Sequence, residues 1–430
     1  MTFRETAQIE FKEQLTNTFL KTVSAFANYD GGTIYFGIQD DGTVNGMPNP
    51  IQDCLTIEQK IDDSIDPTPK YTLEIRKDGV IILEVEEGLY KPYCYRNKAY
   101  CRNDSATVEV DRLEMQRLIL EGSNRSYDEL EATTQELSFT HLEKELKDRA
   151  GIKDFSLDTL RTLGLYSNKV GYNRAAELLA DVNQSFGIEC VRFGKTISQF
   201  LDRETIEHCS VLEMYDRALS MYRKYYTYEE IQGSRRETIQ RIPEEAFREA
   251  VANSLIHRSW DIRSAIQVAM YEDHIEVTSP GNLPRELSEE EYLNSKISVF
   301  RNPILASVFY RLGLIEHLGT GTFRIRDAYN GAPVQPRFQF SEHFLTILLP
   351  VTDIQYDFTE TEEEIYKLLS SGMTLTRSQI DTITGYDKQQ THRALKRLME
   401  KGLVEKIGQN PTQYKLVDEF EERYLILKDV

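Results

Sequence analysis

A carboxylate and an amide one helical turn apart are the first groups in this chain that could do chemistry. Residues 243 to 260 read PEEAFREAVANSLIHRSW. As a helix, this stretch puts Phe247, Ala250, Val251, Ser254 and Leu255 on one face at the i, i+3, i+4, i+7, i+8 spacing. Glu245, Glu249, Asn253 and His257 recur at every fourth position and stack as a polar stripe. Asparagine is a poor residue for a helix interior, so its place there asks for a reason. Glu249 and Asn253 together could hold a hydrated Mg²⁺, because hard cations take oxygen ligands and Mg²⁺ keeps several waters. A solvated helix face has the same pattern, so the helix alone leaves both readings open.

The elements that follow narrow the choice. A strand pattern at 265–270 leads through a turn at 271–274 to a second strand at 275–278. Next come Ser279-Pro280-Gly281-Asn282-Leu283-Pro284, Arg301-Asn302-Pro303, Gly313-Leu314-Ile315-Glu316 and Gly319-Thr320-Gly321-Thr322. This order of helix, hairpin, glycine loop, helix and glycine loop resembles the GHKL-type ATP-binding fold of gyrase, Hsp90 and histidine kinases. In particular it resembles the RecG-like, helicase-related variant found in bacterial transcriptional regulators, over roughly residues 125 to 350. The resemblance implies ATP and Mg²⁺ as cofactors. Glu249 would act on water or Mg²⁺, with the catalytic role if the domain is an ATPase, and Asn253 would be the metal ligand. Gly281 would lie near the adenine. Gly319 and Gly321 would let the backbone approach phosphate, which glycine permits. At the position where the ATPases place an adenine-reading Asp, this chain has Ser279. The Gly187–Thr196 segment, GIECVRFGKT, is not a Walker A loop. Six residues separate its glycines where four are required, and the segment reads as a strand.

Composition bounds the rest. The 430 residues are too many for one core, with 40% hydrophobic and 28% charged residues, which describes a soluble multidomain chain. No apolar run is long enough to span a bilayer, and the N-terminus lacks a signal peptide's apolar stretch. A cytoplasmic protein with no membrane partner is expected. The five cysteines show no CxxC pair and the seven histidines no metal-binding spacing, which fits reduced thiols. A net charge of −19 argues against nucleic-acid binding by the whole surface but not by a local basic face.

Residues 1–122 form a block of their own. Ile9-Glu10-Phe11-Lys12 precedes a helix from Phe19 to Asn28, a Gly31-Gly32 turn, a strand at 33–38 and an Asp41-Gly42 hairpin turn. Further strands are expected at 73–75 and 80–85. The segment from Pro92 to Arg102 alternates aromatic and basic residues, which suits either a core strand or a nucleic-acid platform. The EFK followed by SAFAN and GGTIYFGIQDDG, from Glu10 to Gly46, resembles the Schlafen/AlbA-type DNA-binding domain, a small α/β fold. Some Schlafen relatives are metal-dependent RNA nucleases that use three carboxylates. That resemblance makes Glu5, Glu10 and Asp40, with Lys12 beside them, the candidate catalytic set, and Glu10 and Asp40 the metal ligands. Glu10 and Lys12 would project from one face of a strand, and clustered carboxylates suit metal-assisted phosphodiester cleavage. A non-catalytic binding domain has the same signature.

Residues 357–430 read as a winged helix-turn-helix, after a linker at 351–358. Helices are expected at 363–371, 376–383 and 387–401, with a strand pair at 404–407 and 413–416 joined by Gly408-Gln409-Asn410-Pro411. The second helix of such a motif enters the major groove with its N-terminal residues at base edges. The DNA-contacting candidates are Lys388, Gln389, Gln390, Thr391 and Arg393, followed by Lys396 and Arg397. Gln pairs naturally with adenine and Arg with guanine. Between 374 and 416 the local charge is +4 within an acidic chain.

The expected architecture is therefore an α/β multidomain protein. A Schlafen/AlbA-type α/β domain at 1–122 is followed by a GHKL-like α/β sandwich with a helical connector at 123–352, then the winged helix. The expected function is a DNA-binding transcriptional regulator, a homo-oligomer with DNA as partner. The alternative is a metal-dependent Schlafen-like nuclease acting on RNA or single strands, with a role in defence.

Overall fold

The computed structural model describes residues 4–232, 235–284, 287–294, 299–316, 319–332, 334–341, 343–352, 358–370, 373–401, 403–408 and 411–416. The chain divides into two compact units, Met1–Leu130 and Glu131–Val430. No helix among the described residues is long and apolar enough to cross a membrane.

In the first unit a four-stranded sheet runs in the order Ile9–Lys12, Gly32–Phe36, Ile81–Val85, Tyr71–Ile75. The first pair is parallel. A parallel pair needs a crossover, and the Phe19–Asn28 helix supplies it. Apart from Lys21, every residue of this helix is buried. Leu20, Val23 and Ala27 share a core with Ile34, Phe36 and Leu83. Gly31 has φ +71°, and a Cβ there would come 2.9 Å from the Val85 carbonyl oxygen. The helix-to-strand turn therefore needs glycine. Tyr93, Tyr95 and Tyr100 are all at most 6% exposed. The aromatic segment is thus core and not a stacking platform. Buried Asn28 fixes it by accepting from Tyr93 N at 2.7 Å and donating to Tyr93 O at 2.8 Å.

The second unit is built on a six-stranded sheet in the order Phe200–Ile206, Ile188–Phe193, Ile266–Met270, His274–Pro280, Phe344–Pro350, Arg337–Phe340. Ile188–Phe193 and Ile266–Met270 pair in parallel, and the other pairs are antiparallel. The connector region thus contributes two sheet strands and the Val211–Tyr226 helix. Ile188 and Cys190 alternate inward, in the segment whose pattern reads as a strand. Helix Glu244–His257 buries Phe247, Ala250, Val251, Ser254 and Leu255, the face its spacing predicts. Arg258, just past its end, is 1% exposed. Its guanidinium donates to the carbonyls of Phe186, Gly187, Ile262 and Ser264 and lies 4.2 Å from the Trp260 ring centroid. Such partners are what a buried charge requires.

At the C-terminus, helices Glu360–Ser370, Arg377–Thr384 and Lys388–Glu400 pack with a sheet ordered Leu375–Thr376, Gln413–Leu416, Val404–Ile407. Ile365, Leu369, Ile380, Leu395, Leu398 and Tyr414 form the interior. Capping boxes start the second and third helices, Thr376 with Gln379 and Asp387 with Gln390, each cap contributing about 1 kcal/mol. Gly385 takes φ +75° between them. Most of the expected linker (353–357), the expected helix end Ser371, and loop residues Gln409 and Asn410 lie outside the described residues.

Candidate functional site

Glu10 is 6% exposed and lies on the edge strand of the first sheet. Lys12, two residues along the same face, and Arg102 each form an ion pair with it, one to each carboxylate oxygen. Thr22 Oγ1 donates to it at 3.4 Å. Arg102 is itself held by Thr107 Oγ1 at 2.8 Å and the Thr6 carbonyl at 2.9 Å. Glu5 accepts the Phe11 amide at 2.8 Å, while Asp40 is exposed beyond the second strand. Among the described residues these carboxylates do not form a set whose ligand atoms all lie within 4.8 Å of one another. The structure brings Glu10 and Lys12 together.

The second carboxylate is held differently. Glu249 is 5% exposed and has only long contacts, Asn253 Nδ2 at 3.4 Å and Arg324 Nη1 at 3.7 Å. Burial raises its pKa, although Arg324 and Asn253 oppose the shift. Gly321 lies directly against the pair. A Cβ there would come 2.6 Å from Asn253 Nδ2 and 2.7 Å from Glu249 Oε1. Gly319 has φ +62°. Glu249, Asn253, His257, Tyr292, Phe300 and Thr320 are among the residues lining a cavity of about 50 Å³, room for a few waters but well below the roughly 300–1,000 Å³ of small-molecule sites. The His257 ring stacks on Phe300 with centroids 5.6 Å apart. Burial, and then the nearby Arg301, lower its pKa to about 4, so it is neutral at pH 7.

Two residues expected at the adenine end have other partners. Ser279 Oγ donates to the Ser254 carbonyl at 3.2 Å, tying the strand to the Glu249 helix. Gly281, with φ +109°, lies under Arg301, whose Nη1 would be 2.4 Å from a Cβ. Arg301 in turn donates to Ser259 Oγ at 2.7 Å and the Asn282 carbonyl at 2.9 Å. Neither Ser279 nor Gly281 lines the cavity. Glu249 and Asn253 thus present oxygen donors of the kind that a hydrated Mg²⁺ takes. Arg324 and Tyr292 were missed in the sequence because they come from helices distant along the chain. Arg301 lies in a motif whose role only packing reveals.

In the winged helix, Lys388, Gln389, Gln390, Arg393, Lys396 and Arg397 are exposed. Thr391 is not: it is 0% exposed and packs inside with Ala394 and Leu395. That corrects its expected place at the DNA face, since it falls on the buried stripe of the helix with Ala394, Leu395 and Leu398. Gln390 Oε1 accepts the Asp387 amide at 3.0 Å as part of the cap. Arg397 and Lys401 both pair with buried Glu362, at 3.2 and 2.8 Å. Lys396 stands 3.7 Å from Glu400. Among the described residues, Lys388 and Arg393 have no ion-pair partner. The positive face narrows to the first two turns of the helix.

Comparison with known proteins follows the same order along the chain. Three domain families match. Residues 5–111 match "Schlafen, AlbA_2". Residues 264–349 match "Putative ATP-dependent DNA helicase recG C-terminal", a span that includes Gly281, Gly319 and Gly321 but begins after Glu249 and Asn253. Residues 354–419 match "Sugar-specific transcriptional regulator TrmB". Among solved structures, the DIP2311 protein of Corynebacterium diphtheriae is similar at 19% identity, over 99% of this chain and 94% of that one, with a TM-score of 0.49. The N-terminal domain of a putative ATP-dependent DNA helicase RecG-related protein from Nitrosomonas europaea is similar at 18% identity. It covers 24% of this chain and 80% of that one, with a TM-score of 0.18. No curated protein matches.

Proposed function

We propose that this protein is a DNA-binding transcriptional regulator that contacts duplex DNA through its winged helix. The observation that carries this reading is the sorting of charge on the Lys388–Glu400 helix. Lys388 and Arg393 are exposed at its N-terminal half, the end that meets base edges in this motif, whereas Arg397 is paired with Glu362. The matches to a transcriptional regulator family and to AlbA_2 support it. Affinity for duplex DNA falls steeply with salt, because each phosphate contact releases counterions. Replacing Lys388 and Arg393 together by Ala lowers affinity about tenfold or more and flattens the salt slope by about two. A gel-shift salt series that shows the same binding for both proteins would overturn the assignment.

The central domain, in this reading, takes Mg²⁺ with the phosphates of a nucleotide. Glu249 and Asn253 would hold the ion, and Gly319 and Gly321 would admit the phosphates. Occupation requires the cavity to widen where Tyr292 and Phe300 line it. Ser279, which stands where the ATPases place the base-reading Asp, is turned to the Ser254 carbonyl and lies off the cavity, so ATP and GTP should bind alike. A preference of tenfold or more for one of them, measured by thermal-shift titration, would count against this ligand geometry. The ion-paired Glu10 supports a binding role for the first domain. Cleavage of RNA or single strands in Mn²⁺ that Glu10→Gln abolishes would restore the nuclease reading.

A further inference from the structure

We infer that the second unit carries a site for a borderline divalent cation of the Zn²⁺ type, formed by His141, Glu145 and Asp216. His141 and Glu145 lie one turn apart on the Thr140–Ala150 helix, and Asp216 lies on the Val211–Tyr226 helix. One ligand atom from each lies within 4.8 Å of the others, the one such group among the described residues. His141 Nε2 is 3.3 Å from Asp216 Oδ2. That is the separation of two ligands on one tetrahedral ion, about 3.3 Å for Zn–N and Zn–O bonds near 2.0–2.1 Å.

The second observation is the state of the ring nitrogen. His141 Nε2 is shielded from solvent and makes no hydrogen bond among the described residues. It approaches Asp216 without the alignment that a ring N–H would need. The contact to Asp216 is thus a loose pair at 3.3 Å with no well-formed hydrogen bond, and a shared ion would satisfy both groups. Glu145 is 7% exposed, and its Oε2 is held by Arg149 Nε at 2.5 Å. That contact fixes the carboxylate while its other oxygen remains for the cation. Imidazole with carboxylate oxygens suits Zn²⁺, Co²⁺ or Ni²⁺ and not Mg²⁺ or Ca²⁺, which prefer all-oxygen sites. Three protein ligands leave a fourth position for water. The ion would staple the first helix of the second unit to the helix that backs its sheet. Next to Asp216, the Tyr215 hydroxyl accepts from Arg248 at 3.1 Å, so the stapled helix also touches the helix of Glu249.

The test uses the full-length protein, stripped with chelator and dialysed, then titrated with Co²⁺ and Zn²⁺. The expected result is one equivalent of Co²⁺ with visible absorption bands, displaced by Zn²⁺ and not by Mg²⁺. His141→Gln and Asp216→Asn each lower the affinity at least tenfold. Circular dichroism of the metal-free variants checks that they fold; should His141→Gln fail to fold, Asp216→Asn and Glu145→Gln provide the same reading. No uptake by the unmodified protein would overturn the inference. So would uptake unchanged in the folded variants, which would assign the ion to the cysteines.

Discussion

Glu10 and Glu249 are both buried carboxylates, one in each unit, and their surroundings differ in kind. Each oxygen of Glu10 meets a cation, Lys12 or Arg102. Among the described residues, Glu249 has no polar contact shorter than the 3.4 Å to Asn253, and it faces a cavity bounded by the glycine backbone of 319–321. A buried charge must be compensated. At Glu10 the protein supplies the compensation itself, so the group holds strands together. At Glu249 it is incomplete, so the group is poised for something from outside. The sequence signatures that place Glu10 and Glu249 among the catalytic candidates carry no information on this difference.

The largest effect expected is at Glu10. Glu10→Ala leaves Arg102 and Lys12 facing a buried void, and removal of one partner of such a pair costs about 3–5 kcal/mol. Urea unfolding of the two proteins measures it. Glu249→Gln, at a group whose cation Arg324 stands 3.7 Å away, should cost under about 1 kcal/mol by the same assay, the range of a weak pair. Equal losses at the two positions would erase the distinction drawn here.

Ligand binding sharpens the comparison from the other side. Saturating Mg²⁺–ATP should stabilise the protein by roughly 2.7 kcal/mol at a hundredfold excess over Kd, and Asn253→Ala should remove the shift. Glu10→Gln, where it folds, should retain it. Thermal denaturation with and without nucleotide reads both, and a shift that survives in Asn253→Ala would be the damaging result.

Thr391 provides a smaller and opposite test. Its hydroxyl is buried without a hydrogen-bond partner among the described residues, which costs about 1–3 kcal/mol in principle. Thr391→Val should therefore stabilise the winged helix by roughly 1 kcal/mol and leave DNA affinity unchanged. A loss of DNA affinity would return Thr391 to the contact face.

The smallest effect concerns His274. Burial works against its charged form, but hydrogen bonds to Asp273 at 2.8 Å and Glu276 at 3.1 Å outweigh it, and its pKa rises above the ordinary 6.5. The folded state thus binds this proton more tightly than the unfolded chain. The stabilisation is complete below pH 6.5 and is lost as pH rises through the folded value. Stability measured from pH 6 to 9 should decline by a fraction of a kcal/mol more in the unmodified protein than in His274→Gln.

Much of the fold was legible because it rests on local rules. The period of Phe247, Ala250, Val251, Ser254 and Leu255 marks a buried helix face, and Gly31 and Gly385 mark turns that require left-handed backbone. The strands at 404–407 and 413–416 were legible to the residue. At the candidate sites, residue types and helical spacing placed Glu249 one turn from Asn253 and Glu10 beside Lys12. What the linear chain could not determine is which distant residue arrives at each of them. Arg102, 92 residues from Glu10, turns a candidate metal ligand into an ion pair. Arg301 covers Gly281, Glu362 pairs with Arg397, and Asp216 meets His141, an acquaintance that no spacing in the sequence announces. Local backbone preference and hydrophobic period act over one or two turns of chain and can be read in order. The charge state and exposure of a functional group depend on what packs against it in three dimensions, and that was decided only when the sheets and helices closed.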